Sequence, residues 1–287
     1  MMALAVFFCG VATGAPEALA QKTKPNFVVI FIDDMGYGDI EPFGSQQNQT
    51  PNLTRMAAEG RKLTSFYVAS PVCTPSRASL MTGSYPQRVG LEKGSGHIVL
   101  FPGDPHGLHP DEITIAETLK KAGYATGCFG KWHLGDQPQF LPTSQGFDTF
   151  FGIPYSNDMW PPLRSFQCPD LPLMRDTKVA GLVKDMDDQA DLCRQVTEEA
   201  IQFIRNNKDQ PFFVYLPHVF VHWPRKASPR FMAEGKTAEQ AQVEEVDWSV
   251  GEVLKTLREE GLASNTLVVF TSDNGPAGGL SAGPLRG

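Results

Sequence analysis

Two acidic pairs in this 287-residue chain, Asp33-Asp34 and Asp273-Asn274, offer only hard oxygen donors. That donor set is the preference of Ca²⁺, with Mg²⁺ as the alternative. Tandem carboxylates repel one another unless a cation compensates them; the competing assignment is solvated turn residues or helix N-caps. Cys73 precedes Ser76-Arg77-Ala78-Ser79-Leu80-Met81, a helical stretch closed by Gly83. A group at a helix N-terminus sits among free backbone N–H groups at the positive end of the dipole, which favours an anionic oxygen or sulfur. Arg77 lies one turn inward, close enough to help hold that anion; the competing assignment is a proline-containing turn with a buried thiol. Lys131-Trp132-His133 places a fixed cation and a titratable imidazole two residues apart, on one side of an extended segment. His222, before Trp223-Pro224, is a second candidate acid. His218 suits a supporting or core role, and His97, His106 and His109 lie in a Gly/Pro loop as rim residues.

Four apolar runs must carry these groups: Phe27 to Ile32, Tyr124 to Phe129, Phe212 to Leu216 and Leu267 to Phe270. Their β-branched and aromatic content reads as buried strands. Helices are expected at Pro51 to Glu59, at Ile113 to Ala122, along the face Leu192, Val196, Ala200 and Phe203/Ile204, and along Val243, Val246, Val250, Val253/Leu254 and Leu257. Strands alternating with helices indicate an α/β fold, with a mostly parallel sheet and helices on both faces. Pro138 to Val183, rich in Pro, Gly and aromatics, reads as an insertion or rim loop. Polar candidates follow each strand at once: Asp33 and Asp34, Lys131 and His133, His218 and His222, Asp273 and Asn274. Open α/β sheets bind ligands beyond the carboxyl ends of their strands, so four segments converge on one crevice.

A net charge of −7 argues against a nucleic-acid partner but leaves room for a local cationic pocket. Ala3 to Ala15 is apolar or small, and Ala18-Leu19-Ala20 fits a cleavage site, so residues 1–20 read as a signal peptide and the protein as exported, periplasmic or secreted. The apolar stretch is too short and Gly-interrupted for a stable membrane anchor. Cys168 and Cys193 either pair or remain buried free thiols, and no Cys-x-x-Cys pair suggests zinc.

Cys73-Thr74-Pro75-Ser76-Arg77 matches a C-x-P-x-R signature. Together with Asp33-Asp34-Met35-Gly36-Tyr37-Gly38-Asp39, Thr50-Pro51-Asn52-Leu53, Gly130-Lys131-Trp132-His133-Leu134-Gly135, Gln145-Gly146-Phe147-Asp148 and Thr271-Ser272-Asp273-Asn274-Gly275, it makes the chain resemble the type I, formylglycine-dependent sulfatases of the alkaline phosphatase superfamily. The likeness is nearest to arylsulfatases and N-acetylgalactosamine-6-sulfatases and runs from about Asn26 to the last residue.

The resemblance implies an alkaline-phosphatase-like fold and hydrolysis of sulfate esters of a glycan or an aryl alcohol. It implies a Ca²⁺ site (Mg²⁺ as alternative) at Asp33, Asp34, Asp273 and Asn274, with an oxygen of the formylglycine made from Cys73 by a formylglycine-generating enzyme acting on the unfolded chain. Arg77 matches the residue that stabilises the hydrated aldehyde. Lys131 and His222 match groups that contact sulfate and the leaving oxygen, and His133 the partner of the hydrate. The aromatic and polar stretch Gly152 to Asp158, followed by Trp160, is expected to shape the leaving-group pocket. The family has a second sulfate-binding lysine shortly after the Asp-Asn pair and a smaller C-terminal domain. Residues 21–287 are therefore expected to be an incomplete N-terminal catalytic domain, a fragment of a longer protein. The alternatives are a phosphonate or phosphate monoester hydrolase of the same superfamily and a non-catalytic glycan-binding homologue.

Overall fold

The computed structural model describes residues 24–164 and 168–285, so the leader expected at 1–20 lies outside the described residues. Strands β1 (Asn26–Ile32), β2 (Ala125–Lys131), β3 (Thr149–Ile153), β4 (Leu171–Arg175), β5 (Lys178–Val183), β6 (Phe212–Pro217) and β7 (Thr266–Ser272) form one sheet in the order β5-β4-β3-β2-β6-β1-β7. The five strands from β3 to β7 across the sheet pair in parallel, while β4 and β5 pair antiparallel at one end.

Alternation along β1 divides the core. Val28, Ile30 and Ile32 face one side and pack with Cys193, Val196, Ala200 and Ile204 of helix α5 (Met186–Asn206) and with Val243, Val246, Val250 and Val253 of helix α6 (Ala238–Glu259). Phe31 faces the other side, with Phe213, Tyr215, Cys128, and Ala78 and Met81 of the helix Cys73–Thr82. Both faces are thus covered, which is why these strands read as nearly continuous apolar runs. Each fully buried Val, Ile or Leu contributes about 1.5–3 kcal/mol.

The other helices, in chain order, are α1 (Pro51–Glu59), α2 (Cys73–Thr82), α3 (Ile115–Lys121) and α4 (Pro161–Arg164). α3 begins two residues later than its apolar pattern suggests because Thr114 caps it. Thr114 Oγ1 accepts from Glu117 N at 3.0 Å, and Glu117 Oε2 accepts from Thr114 N at 2.8 Å. α6 starts on the same device, built from Thr237 and Gln240. Gly83, in the left-handed region at φ +66°, closes α2.

The stretch 138–183 differs from its expected role as an insertion or rim loop, because it supplies β3, β4 and β5. These strands are short and irregular. β3 contains Gly152, β4 carries Pro172 and a register shift at Leu173/Met174, and β5 is mostly exposed. Gly130 and Gly152 pair directly in the β2–β3 ladder, and each stands where a Cβ would collide with backbone: 1.8 Å from Pro217 O and 1.9 Å from Gly130 O respectively. Glycine is therefore required where β6, β2 and β3 draw together, one residue before Lys131.

Cys73, Cys128, Cys168 and Cys193 are all buried free thiols, so Cys168 and Cys193 are not joined. β7 forms the parallel edge of the sheet and leaves Leu267 and Val269 exposed. Among the described residues, no helix is long and apolar enough to cross a membrane.

Candidate active site and metal centre

The carboxyl ends of β2, β6, β1 and β7 point the same way, so the polar residues after them meet at one edge of the sheet. Asp33, Asp34 and Asp273 bring carboxylate oxygens within 4.8 Å of one another, and all three are buried. Asp34 adopts φ +61°, a conformation disfavoured for a residue with a Cβ. This turn lets its backbone N–H donate to Asp273 Oδ1 at 3.2 Å. Asn274 Nδ2 donates to Asp34 Oδ1 at 2.7 Å and leaves its own Oδ1 buried without a partner.

Cys73 is the first residue of α2, and its Sγ lies 3.4 Å from Asp33 Oδ1. One turn later Arg77 is fully buried. Arg77 Nη2 stands 2.8 Å from Asp273 Oδ2, and Nη1 donates to Lys131 O at 2.9 Å. Lys131 Nζ reaches Asp33 Oδ2 at 2.5 Å and Ser156 Oγ at 3.0 Å. Arg77 and Lys131 therefore form the floor of the site, where both bind carboxylates and Arg77 also binds the Lys131 carbonyl.

His133 also has a positive φ, +59°, which turns its ring toward the cleft. Its Nε2 sits 3.0 Å from Leu100 O, so Nε2 carries the proton and the unpartnered Nδ1 is the free base. His222 enters from the opposite side. Its Nδ1 lies 2.5 Å from Trp223 O, and its Nε2 lies 3.7 Å from Asp34 Oδ2. His218, by contrast, is buried beneath the sheet edge with Nε2 on Ser249 Oγ at 2.9 Å, outside the cleft.

Burial opposes ionisation of Asp33, but Lys131, His222 and Arg77 outweigh it and hold its carboxyl well below the ordinary range. Burial and the charge of Asp33 push Asp273 up, against Arg77. The Cys73 thiol is pushed well up by burial and by Asp33. His133 is pushed well down by burial, then by Lys131 and Arg77. Burial lowers Lys131, yet Asp33 reverses the balance and raises it.

Three buried acids face two buried cations, which leaves negative charge over. The orphaned Asn274 Oδ1 completes a set of oxygen donors only. Both observations fit a divalent cation of the Ca²⁺ or Mg²⁺ type. The second grouping, Asp33 with Cys73 and His222, mixes oxygen, sulfur and nitrogen and is served by a protonated thiol, a poor ligand.

Above this floor lies a cleft of about 920 Å³, lined by Cys73, His133, His222, Asn274, Ser156, Asp158 and the apolar Val72, Val99, Phe101 and Met159. His97 stacks on Phe101 at 4.1 Å and is the one rim histidine that lines the cleft. Ser156 and Asp158 belong to the stretch Gly152 to Asp158 expected to shape the leaving-group pocket, and both line the cleft, although sequence reasoning assigned neither a role of its own. Both follow β3, and identification of that strand would have placed them at the carboxyl edge with the others.

A family model described as Sulfatase matches residues 25–287. The N-acetylgalactosamine-6-sulfatase of Rattus norvegicus is 39% identical over 288 residues, covering 96% of this chain and 53% of the relative. Arylsulfatase A of Homo sapiens is 38% identical over 290 residues, covering 92% of this chain and 56% of the relative. The chain thus spans about half the length of the curated relatives it matches. Among solved structures, Ps i-CgsB in complex with k-i-k-neocarrahexaose superposes with a TM-score of 0.78 at 31% identity, covering 92% of this chain and 62% of that one. The alkaline-phosphatase-like α/β architecture expected from the sequence is the fold they share.

Proposed function

Because this chain belongs to the sulfatase family, we propose that its cleft hydrolyses sulfate esters. The observation that carries this reading is the meeting of Cys73, four oxygen donors and two fixed cations at the end of one sheet. Residues 21–287 then form the N-terminal catalytic domain.

A formylglycine made from Cys73 would supply the attacking oxygen, and a divalent cation the positive charge over the sulfuryl oxygens. Asp33, Asp34, Asp273 and Asn274 would hold that cation. Arg77 keeps Asp273 aimed at it, and Lys131 with Ser156 forms the cationic and hydroxyl wall on which a sulfate oxygen rests. His222, through Nε2, delivers a proton to the departing alcohol oxygen. His133, with Nδ1 free and its pKa held low, takes up a proton at residue 73. The apolar wall from Val72 to Met159 receives the alcohol, and its size suits a sugar. The glycan in the related Ps i-CgsB complex supports the same choice.

Cys73 is 7% exposed at the bottom of the cleft, out of reach of an enzyme that must wrap an extended segment around it. Conversion therefore belongs to the unfolded chain. The apolar leader supports an exported, periplasmic or secreted location. The deciding experiment is the mass of the Cys73 peptide from native-host protein, alongside turnover of phenyl sulfate and phenyl phosphonate by the full-length protein. An aldehyde at position 73 with preference for the sulfate ester is expected. An intact thiol, or a preference for the phosphonate, sinks the reading.

A further inference from the structure

Asp158 follows β3 and lines the cleft that holds Cys73, His133 and His222, yet only 5% of its surface is exposed. One of its oxygens is fully occupied: Oδ2 accepts from Arg164 Nε at 3.0 Å and Nη2 at 2.7 Å. The other, Oδ1, is buried and has no hydrogen-bond partner. Burial opposes ionisation, but His222, Ser156, Arg164 and Lys131 together hold this carboxyl below its ordinary value, so it is charged at neutral pH. A buried carboxylate oxygen left unpaired carries the cost of its lost hydration with nothing to offset it.

An anionic side chain in a cleft that receives sulfate works against binding unless it meets a donor. A second anionic group on the ligand would be repelled there, and an aryl ring offers no hydrogen to give. A sugar hydroxyl is neutral, is a donor, and stands within a few bonds of the sulfated carbon.

Building on the sulfate-ester reading above, we propose that Asp158 Oδ1 accepts a hydrogen bond from a ring hydroxyl of the alcohol being released, which makes the site selective for sulfated sugars over aryl or alkyl sulfates. Arg164 is the positioning residue. Its two bonds anchor Oδ2, and its guanidinium is packed 5.6 Å from the Phe101 ring. Specificity arises because a site built around a hydroxyl penalises a ligand that lacks one, leaving the buried acceptor unmet.

The test is calorimetric binding to the full-length protein carrying Cys73→Ser, which prevents turnover. The probes are N-acetylgalactosamine 6-sulfate and 4-sulfate, with cyclohexylmethyl sulfate as the ester without ring hydroxyls. The tighter sugar is expected to bind at least about ten-fold more strongly than the cyclohexylmethyl ester. Adding Asp158→Ala should weaken the sugar about ten- to a hundred-fold and change the cyclohexylmethyl ester less than about three-fold. Asp158→Asn keeps the shape and one acceptor while losing the charge. It carries the test if the alanine variant does not fold, with an expected loss of about three- to ten-fold for the sugar alone.

Equal losses for both esters make Asp158 a structural residue and overturn the proposal. So does a sugar that binds no better than the cyclohexylmethyl ester. If neither ester nor inorganic sulfate binds, the sulfate-ester reading itself has failed and this inference falls with it.

Discussion

Arg77 Nη2 lies 2.8 Å from Asp273 Oδ2, and neither side chain has any exposed surface. Removing one member of such a pair leaves the other charged and desolvated. Arg77→Met is therefore expected to cost about 3–5 kcal/mol of folding stability. Arg77→Lys, which keeps the charge but loses the two-pronged fork, should cost less. Urea unfolding of the three proteins measures this; a methionine variant as stable as the parent removes the clamp from the account.

If the three acids and the amide oxygen at the floor hold the cation proposed above, its binding is part of folding. Saturating Ca²⁺ should raise the unfolding free energy by about 2.7 kcal/mol when its concentration is a hundred times Kd, and the thermal midpoint with it. A chelator should reverse the effect, and Asp34→Asn or Asn274→Ala should blunt it. Thermal unfolding with and without Ca²⁺ reads this directly, and an unchanged midpoint for the parent contradicts the assigned site.

The parts of this site legible in the sequence are those that local patterns encode. Phe27 to Ile32 announces β1 by its apolar run, and Asp33 and Asp34 follow at once. Pro75 and Arg77 after Cys73 give the helix start and the residue one turn along. What Arg77 does there was not legible, because its partner lies 196 residues away. The same holds for Asp158, whose role depends on which of its oxygens Arg164 leaves free. β3 to β5 escaped notice for a physical reason. Gly152, Pro172 and the register break at Leu173/Met174 erase the period-two signal in strands of five or six residues.

Two buried groups outside the cleft contribute to the pH dependence of stability. Burial pushes Glu245 up to about 7 from an ordinary 4.5, despite the hydrogen bond from Ser228 N, and its Oε1 has no partner. The folded state then holds a proton that the unfolded chain has released, so stability falls as pH rises from about 4.5 to about 7 and stays lost above. Glu245→Gln should remove that slope and gain about 1–3 kcal/mol at pH 8. Burial lowers His218 to about 3 from 6.5, so its contribution is present above pH 6.5 and lost as pH falls toward 3. Urea midpoints from pH 4 to pH 9 test both, and a flat Glu245 difference across pH rejects the first.

β7 ends the parallel side of the sheet with Leu267 56% and Val269 39% exposed. An apolar edge with open backbone groups invites strand pairing. A protein of residues 24–285 should self-associate in a concentration-dependent way, and Leu267→Lys with Val269→Lys should reduce this. Sedimentation velocity over a concentration series decides the matter; identical profiles for parent and variant would remove the edge as the cause.

That same strand runs directly into Asp273 and Asn274. Its ladder with β1 continues through Ser272 opposite Ile32, and the next amide, Asp273 N, donates to Ile32 O at 2.8 Å. The outer strand thus carries two of the four oxygen donors proposed for the cation. Whatever pairs with its free side and steadies it changes cation affinity by some factor, and the cation must strengthen that pairing by the same factor. Should both the proposed cation site and the edge pairing hold, assembly at the rim of the sheet and charge at its crest form a single equilibrium read from two ends.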